Sequence, residues 1–352
     1  MKKNLLKKVS AFVMAAFLAT AATGCGSSSS STGASSSAAS GKKTIGVIQF
    51  ATHPSLDNCY EGFKDGLAEG GFKEGENLTI DFQNAQGETA NADMIAKSLA
   101  AKNYDMIGAI ATPAALSAYG ATKNAGTPVV FTAVNDPVGA QLVNSLDNPG
   151  TSCTGSSDVL PLEAQVKMIR AFLPNAKKIG VLYTTSEPNS ISMLEKFKGV
   201  AANEGFEVVE QGVTNSSEVA SGATALAAKG VDCFNNFTDN NVVNNLSSEL
   251  QAVNNLSSEL QAAKKAGIPV FGSEVEQVKN GCLASQSIDY VALGKQTGLM
   301  AAKILKGEAK ASDLPVYTVE DATPVYNETV LQEMGLSLPS EYQTAEKVTS
   351  AK

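Results

Sequence analysis

The sequence predicts an α/β protein in which a parallel sheet flanked by helices is built twice. Short β-rich runs alternate with longer helical stretches from residue 43 onward. Runs such as 45–48 (IGVI) are apolar throughout, as strands buried on both faces of a parallel sheet require. The 310 residues beyond residue 42 exceed what a single hydrophobic core usually serves. Two doubly wound parallel-sheet lobes are therefore expected.

Eight strands and six helices are predicted, in two groups separated by an irregular passage. The predicted strands are 44–50, 78–83, 106–111 and 129–134 in the first group and 179–183, 207–213, 233–237 and 268–272 in the second. The predicted helices are 57–68, 91–102, 114–124, 162–172, 190–203 and 216–229. Ligands of open parallel sheets bind beyond the carboxyl ends of the strands. Polar residues follow most of these strands, so we expect a ligand cleft between the two sets of loops.

The N-terminal segment predicts export and attachment to a membrane. Four lysines within the first eight residues precede an apolar run at 9–19, and small residues then lead to Cys25. This pattern indicates a lipoprotein signal peptide at 1–24, whose cleavage exposes Cys25 for lipid attachment. The segment 25–42 reads as the lipidated cysteine and a flexible Ser/Gly linker. The localisation expected is extracytoplasmic, with a lipid anchor in the cell membrane; an ordinary secretory signal with an incidental cysteine is the alternative.

Charge and composition exclude several classes of partner. The formal charge is −8, and the signal carries four lysines and no acid, so the mature chain is near −12. Such a chain lacks the basic surface that neutralises nucleic-acid phosphates, and no nucleic-acid partner is expected. One histidine and four isolated cysteines after Cys25 argue against a metal site. Those cysteines (Cys59, Cys153, Cys233 and Cys282) are interpreted as buried small hydrophobes, with a disulfide left open.

An enzymatic function is not expected. The sequence contains no G-x-S-x-G nucleophile elbow, no G-x-x-x-x-G-K-[ST] phosphate loop and no G-x-G-x-x-G fingerprint. A single histidine also leaves little room for histidine-dependent catalysis. No cofactor is therefore predicted.

Six short strings, taken in their order and spacing, resemble those of one protein family. They are HPSLD at 53–57, NAQG at 84–87, ATPAA at 111–115, FTAVNDPVGA at 131–140, EPNS at 187–190 and TDN at 238–240. The family is the tryptophan/tyrosine-type substrate-binding lipoproteins of ABC transporters, and the resemblance extends from residue 43 to about residue 335. It implies a type I periplasmic-binding-protein fold whose two lobes are joined by a three-segment hinge.

The resemblance also implies lobe boundaries and partners. The N-terminal lobe would comprise 43–158 plus 282–311, and the C-terminal lobe 159–281 plus 312–345. The implied partners are a small amino-acid-like ligand and an ABC permease subunit, and the protein would act as a monomer.

Fifteen residues at the predicted strand and helix ends are the candidates for ligand binding. They are Gln49, His53, Asn84, Thr112, Thr132, Asp136, Tyr183, Glu187, Asn189, Ser190, Thr238, Asp239, Asn240, Ser273 and Asp289.

An amino-acid ligand is a zwitterion, and the cleft must therefore supply a partner for each of its charges. Asp136, Asp239 and Asp289 are candidates for binding the ammonium group, although each could instead cap the helix that follows it. The sole arginine, Arg170, is expected on a solvated helix face. The ligand carboxylate would then be met by hydroxyls and by backbone N–H groups at helix starts. His53 could line the cleft or be an ordinary loop histidine.

The function predicted is that of an extracytoplasmic solute-binding lipoprotein of an ABC importer. The favoured ligand is an aromatic amino acid, bound in the cleft between the lobes and delivered to the permease. The alternatives are a ligand-sensing receptor coupled to a membrane signalling protein, and a sugar- or nucleoside-binding protein of the same fold. The sequence contains no tryptophan, and this argues against a sugar ligand because sugars usually stack on aromatic rings.

One further feature is a verbatim tandem repeat of ten residues. The string VNNLSSELQA occupies 243–252 and again 253–262. Ten helical residues rotate the helix face by about 1000°, so the apolar stripe of the second copy is offset from that of the first. We therefore expect one copy to pack and the other to extend or bulge outward.

Overall fold

A computed structural model describes residues 41–260, 267–319 and 321–350 of the chain. The predicted signal peptide, Cys25 and the linker up to residue 40 lie outside these residues. Strands and helices alternate along the described chain, as the sequence predicts. The strands are β1 (Lys43–Gln49), β2 (Leu78–Asn84), β3 (Met106–Ile110), β4 (Val129–Thr132), β5 (Cys153–Ser157), β6 (Lys178–Thr184), β7 (Glu207–Val213), β8 (Cys233–Asn235), β9 (Val270–Phe271), β10 (Ala284–Ser287), β11 (Tyr317–Thr318), β12 (Thr323–Asn327) and β13 (Glu346–Val348). The helices are α1 (Pro54–Glu69), α2 (Thr89–Ala100), α3 (Thr112–Thr122), α4 (Leu162–Phe172), α5 (Pro188–Asn203), α6 (Val219–Ala228), α7 (Asn240–Asn244), α8 (Leu246–Leu260), α9 (Val275–Lys279), α10 (Tyr290–Leu305) and α11 (Glu328–Glu333).

The first sheet contains six parallel strands in the order β2-β1-β3-β4-β5-β11. Every residue of β3, β4 and β5 is buried, because α1, α2, α3 and α10 pack on this sheet. A sheet covered on both faces requires such fully apolar or small residues. Since the strands run parallel, their carboxyl ends meet at one edge.

The second sheet begins with four parallel strands in the order β7-β6-β8-β9. Two backbone hydrogen bonds extend it to β10: the N–H of Leu283 donates to the carbonyl of Val270 (2.7 Å), and that of Gly272 to the carbonyl of Ala284 (3.0 Å). Strand β12 then pairs antiparallel with β10 and parallel with β13. The described residues thus form a six-stranded, a four-stranded and a three-stranded sheet, and because these hydrogen bonds join the last two we treat them together as the second sheet.

The chain passes between the two sheets after β5, after β10 and after β11. This pairing differs from the predicted lobe boundaries at two strands. Strand β10, placed by the sequence in the N-terminal lobe, lies in the second sheet, and β11, placed in the C-terminal lobe, pairs with β5 of the first. Both strands are short and neither has the long apolar run of a central strand, so the sequence did not indicate which sheet they would join.

Four glycines bring α1 and α10 into backbone contact. A Cβ atom at Gly62 or Gly66 would clash with the carbonyl of Val291 or Lys295 in α10. A Cβ at Gly294 or Gly298 would clash in the same way with carbonyls of α1. Small residues at i and i+4 on both helices thus allow the close approach. This contact attaches the returning chain to the first sheet, although more than 200 residues separate the two helices.

The four cysteines after Cys25 are buried and carry free thiols. Burial raises the pKa of each thiol well above its usual range, so these side chains are inert. Across residues 41–260, 267–319 and 321–350, no helical span could cross a bilayer, and no three His, Cys, Asp or Glu side chains are grouped so as to hold a metal ion.

The tandem repeat begins in α7 and continues through α8. The first copy contributes Leu246 and the second copy contributes Val253 to the core against the second sheet. Each copy therefore supplies a packed residue. The side chains beyond residue 254, and the whole of 261–266, lie outside the described part of the structure. The prediction that one copy extends or bulges outward concerns these residues.

We predict that Gly66→Ala lowers the free energy of unfolding by about 2–3 kcal/mol, because the added methyl group forces α1 and α10 apart. The matched control is Gly199→Ala in α5, where an added Cβ meets nothing within 4 Å. That substitution should stabilise the protein by up to about 1 kcal/mol through helix propensity. Urea denaturation of both variants measures the difference. Equal effects of the same sign would show that the glycine contact does not set the helix spacing.

Candidate ligand-binding site

A small cavity, most of whose lining residues are polar, lies between the two sheets at the carboxyl ends of their strands. Its volume is about 20 Å³, enough for one water molecule. Five of the predicted ligand residues line it: His53, Thr112, Asn189, Thr238 and Asn240. Nine lining residues are absent from the predicted set: Ser55, Leu56, Ala111, Ala133, Asn135, Asp158, Val243, Glu274 and Tyr290.

Two alanines on the first-sheet side of the cavity have strained backbones. Ala111, between β3 and α3, has φ 78°, and Ala133, after β4, has φ 55°. Residues with a Cβ adopt such angles only at a cost, and such strain concentrates at functional sites. Helix α3 begins directly after Ala111 and has no side-chain cap. Its start therefore presents uncapped N–H groups at the cavity edge, which favour an anion.

Asp158 is the buried acid that follows β5, where the chain leaves the first sheet. Its Oδ2 accepts a hydrogen bond from the Tyr290 hydroxyl (2.8 Å), and its backbone carbonyl accepts one from the Asn135 side chain (3.0 Å). Its Oδ1 has no hydrogen-bond partner among the described residues. Burial raises the pKa of Asp158 to about 6, although the hydrogen bond from Tyr290 opposes the shift. The free oxygen is therefore available to a donor that enters the cavity.

Glu187 lies just behind the cavity wall and holds two of the lining residues. Its Oε2 accepts hydrogen bonds from the side chain of Asn189 (3.1 Å) and from the side chain (2.6 Å) and backbone (3.2 Å) of Asn240. Burial and the nearby charge of Asp239 raise the pKa of Glu187 above its usual range. Its role is therefore to position Asn189 and Asn240 rather than to form the cavity surface.

Glu274 is a second buried acid that lines the cavity, on the second-sheet side. It caps α9, because its carboxylate accepts hydrogen bonds from the N–H groups of Glu276 (2.7 Å) and Gln277 (3.0 Å). Burial raises the pKa of Glu274 to about 7. Two carboxyl groups with raised pKa values, Asp158 and Glu274, thus face the same cavity.

Contacts cross the cavity from one sheet to the other. The His53 Nε2 lies 3.4 Å from the side-chain oxygen of Asn240, and the Thr238 hydroxyl donates to the side-chain oxygen of Asn135 (3.3 Å). Burial lowers the pKa of His53 to about 4, so the ring is neutral at pH 7. His53 therefore lines the cleft as an uncharged group.

The described residues that line the cavity include no lysine and no arginine. Arg170, expected on a solvated face, instead donates to the carbonyls of Ala176 (2.7 Å) and Glu204 (2.8 Å) and lies over the ring of Phe206. It therefore joins α4 to the segments just before β6 and just after α5. The cavity thus combines buried acids with no basic counterpart in its lining, which is the environment that a cation requires.

Two of the predicted ammonium partners cap helices in this structure. Asp239 caps α7 through the N–H of Val242 and also accepts hydrogen bonds from Thr184 and Ser190. Asp289 caps α10 through the N–H groups of Val291 and Ala292. Both residues thus have the helix-capping contacts that the sequence also predicts for them, and neither lines the cavity.

Asp136, the third predicted ammonium partner, lies outside the cavity lining and reaches across to the other sheet. Its carboxylate accepts hydrogen bonds from Ser192 (2.8 Å) and Lys196 (2.7 Å) of α5. The chain turns after β4 so that Asn135 faces the cavity and Asp136 faces α5.

The remaining predicted residues also lie away from the cavity surface. Gln49 bonds to the carbonyl of Ala51 and to Asp57, and Thr132 donates weakly to the sulfur of Cys59. Three others serve local structure: Asn84 bonds to Thr52 and to the N–H of Gln86, Ser273 contacts Gln277, and Tyr183 lies within β6. The predicted set therefore contains both residues that face the cavity and residues that support its walls.

The chain matches one protein-family model over most of its length. The model for ABC transporter substrate binding proteins aligns with residues 44–348. The chain belongs to this family. A tyrosine-binding protein of Clostridioides difficile (strain R20291) is 36% identical over 334 residues, which are 94% of this chain and 93% of that protein. Substrate-binding proteins of ABC importers work outside the cytoplasm, and binding rather than catalysis is their general activity.

Two solved structures resemble this substrate-binding protein to different degrees. A Streptococcus pneumoniae domain in complex with L-Trp is 37% identical, with a TM-score of 0.81 over 87% of this chain and 99% of that one. The ligand-free, open structure of a Clostridium difficile substrate binding protein with adhesive properties is 41% identical, with a TM-score of 0.65 over 88% and 100%. These likenesses confirm the predicted type I periplasmic-binding-protein fold. The structure described here is thus more similar to the L-Trp complex than to the open, ligand-free relative.

We predict that Asp158→Asn stabilises the ligand-free protein at neutral pH. The folded pKa of about 6 exceeds the unfolded value of about 3.9, so the folded state binds the proton more tightly. The carboxyl group therefore costs no stability below pH 4, and its cost grows as the pH rises through 6. Relative to wild type, the variant should gain about 1–3 kcal/mol between pH 4 and pH 7, as measured by urea denaturation at each pH.

The matched control is Asp105→Asn, which should show the opposite trend. Burial acts to raise the pKa of Asp105, but hydrogen bonds from the Thr44 N–H and from Lys43 outweigh it and lower the pKa. This carboxylate therefore stabilises the fold above pH 4, and its removal loses that contribution. The account of Asp158 is wrong if both variants follow the same pH trend.

Proposed function

We propose that this chain is a lipid-anchored receptor of an ABC importer that binds an aromatic amino acid in the cavity between the two sheets. The observation that carries the proposal is the cavity itself, in which buried carboxyl groups have no basic side chain in the lining. A ligand ammonium group would supply the missing positive charge. Asp158 is the best-placed partner, because its Oδ1 is unpaired and buried among groups that face the cavity.

The opposite end of an amino acid also finds suitable groups. Thr112 and the uncapped start of α3 lie at the end of β3, and Asp158 lies at the end of β5. These strands flank β4, so they are separated by two strand spacings, about 9.6 Å. Two hydrogen bonds of about 2.8 Å each, together with the short span between an amino acid's charged groups, bridge such a distance. A zwitterion would thus lie across the end of β4 with its carboxylate at Thr112 and its ammonium at Asp158.

The lining also offers contacts for an apolar side chain. Leu56 of α1, Val243 of α7 and the ring of Tyr290 contribute to the cavity walls. Aromatic side chains bury large areas against such groups. The relatives support this choice, because one is a tyrosine-binding protein and another was solved with L-Trp.

Ligand entry would require the two lobes to separate. The free space of about 20 Å³ leaves no path for an amino acid while the walls are in contact, so the lobes would part and then close on the ligand with the lining side chains moved aside. We assign the first sheet and its helices, including α10, to one lobe and the second sheet to the other. The hinge would then be the three passages after β5, β10 and β11.

The N-terminal segment would place this receptor at the membrane. A lipid on Cys25 and a linker of sixteen small residues would hold the body within roughly 20–24 Å of the surface. That tether raises the effective concentration of the receptor at an integral membrane permease. Delivery of the amino acid to that permease by a monomeric receptor is the function that this arrangement serves.

The test is calorimetric titration of the chain from residue 26 onward with Trp, Tyr, Phe and Leu. We expect an aromatic amino acid to bind, and indole-3-propionate, which lacks the ammonium group of Trp, to bind far more weakly. Asp158→Asn should weaken binding about 10- to 100-fold, the usual effect of losing a hydrogen bond between charged groups. Asp105→Asn, a surface change, is the matched control and should bind like wild type. Failure of all four amino acids to bind, or equal binding of indole-3-propionate and Trp, would contradict the proposal.

A further inference from the structure

Asp136 joins the two lobes at a point outside the ligand cavity. It follows β4 of the first sheet, and its Oδ2 accepts hydrogen bonds from Ser192 (2.8 Å) and Lys196 (2.7 Å) of α5, which belongs to the second sheet. The two donors are four residues apart and so lie on one face of α5. One carboxylate oxygen thus spans the gap between the lobes with two hydrogen bonds.

The local chain holds this carboxylate in place before the lobes meet. The N–H of Gly139 donates to the other oxygen, Oδ1 (2.9 Å), in a turn that contains Pro137. Glycine at position 139 leaves room for the carboxylate, since a Cβ there would lie 2.6 Å from Asp136 Oδ2 and would displace it. The carboxylate therefore loses little further freedom when it meets α5, and preorganisation of this kind increases the net gain from a contact.

The contacts that cross the cavity differ from this one in their response to a ligand. The His53–Asn240 and Asn135–Thr238 pairs are made by cavity-lining groups, so a bound ligand would separate or replace them. Asp136, Ser192 and Lys196 do not line the cavity. Their contact is compatible with an empty or an occupied cavity, provided that the lobes are closed.

We infer that Asp136 acts with Ser192 and Lys196 as a closure clamp, which stabilises the closed arrangement without touching the ligand. A receptor that binds its ligand in the closed state has an apparent affinity proportional to the closed fraction. The clamp would therefore set ligand affinity through the opening equilibrium and would act equally on every ligand of the cavity. The effect of the clamp on ligand affinity rests on the proposed function, whereas its effect on the closure of the lobes does not.

The test compares Asp136→Asn and Lys196→Met with Lys198→Met. Lys198 lies on the same helix, but its ion pairs with Glu195 and Glu210 stay within the second lobe. Fluorophores on Met94→Cys and Ala225→Cys report the distance between lobes; both positions are exposed, one on α2 and one on α6. The native thiols of the body are buried and will not compete for the label.

We expect both clamp variants to lower energy transfer between the lobes relative to wild type and to Lys198→Met. Affinity for the bound amino acid should fall by up to about fivefold, the range of an ion pair that is partly exposed to solvent. The double variant Asp136→Asn/Lys196→Met should be no worse than either single variant, because the two residues act as one unit.

Two outcomes separate the clamp from the proposed function. If no amino acid binds, the proposed function fails, and energy transfer in the ligand-free protein alone decides the clamp. If energy transfer and affinity in both clamp variants match those of Lys198→Met, the clamp is overturned even though the protein binds its ligand.

Discussion

Burial of carboxyl groups without a basic partner, in a cavity between the two sheets, is the constraint on which the rest of this structure depends. Asp158 and Glu274 face the cavity from the two sheets, and Glu187 lies behind its wall. The lining offers these acids no basic residue, and burial raises the pKa of all three. Such an arrangement costs stability. Under the proposed function a ligand ammonium group would offset this cost, since it would supply the positive charge that the lining lacks.

The fold supplies the geometry that this charge requires. Parallel strands place Thr112 and Asp158 at one edge of the first sheet, on either side of β4. The glycine contact between α1 and α10 returns the chain to that sheet and brings Tyr290 to the Asp158 carboxylate. Ala111 and Ala133, whose positive φ angles are strained, lie at the same edge. Packing energy elsewhere in the molecule therefore maintains a site that is unfavourable by itself.

Strand alternation and family strings predicted the architecture well, because central strands such as β1 and β3 are continuous apolar runs. Strand β5 (CTGSS) was missed since small polar residues carry no such signal, although all of them are buried. That omission concealed Asp158, which follows β5 directly. Asp136 and Asp239 were recognised as important acids, but the direction of a side chain after a turn is set by tertiary contacts. The sequence therefore cannot distinguish the helix cap formed by Asp239, or the contact of Asp136 with α5, from a contact with a ligand.

Proton release on ligand binding tests the central claim most directly. An ammonium group beside Asp158 and Glu274 must lower their raised pKa values, so protons leave the protein when the amino acid binds. Calorimetry of the same titration in buffers of different ionisation enthalpy measures this number. The account predicts a release on the order of one proton per ligand between pH 6 and 7, and a smaller release in Asp158→Asn. Binding with no proton release, or with proton uptake, would contradict it.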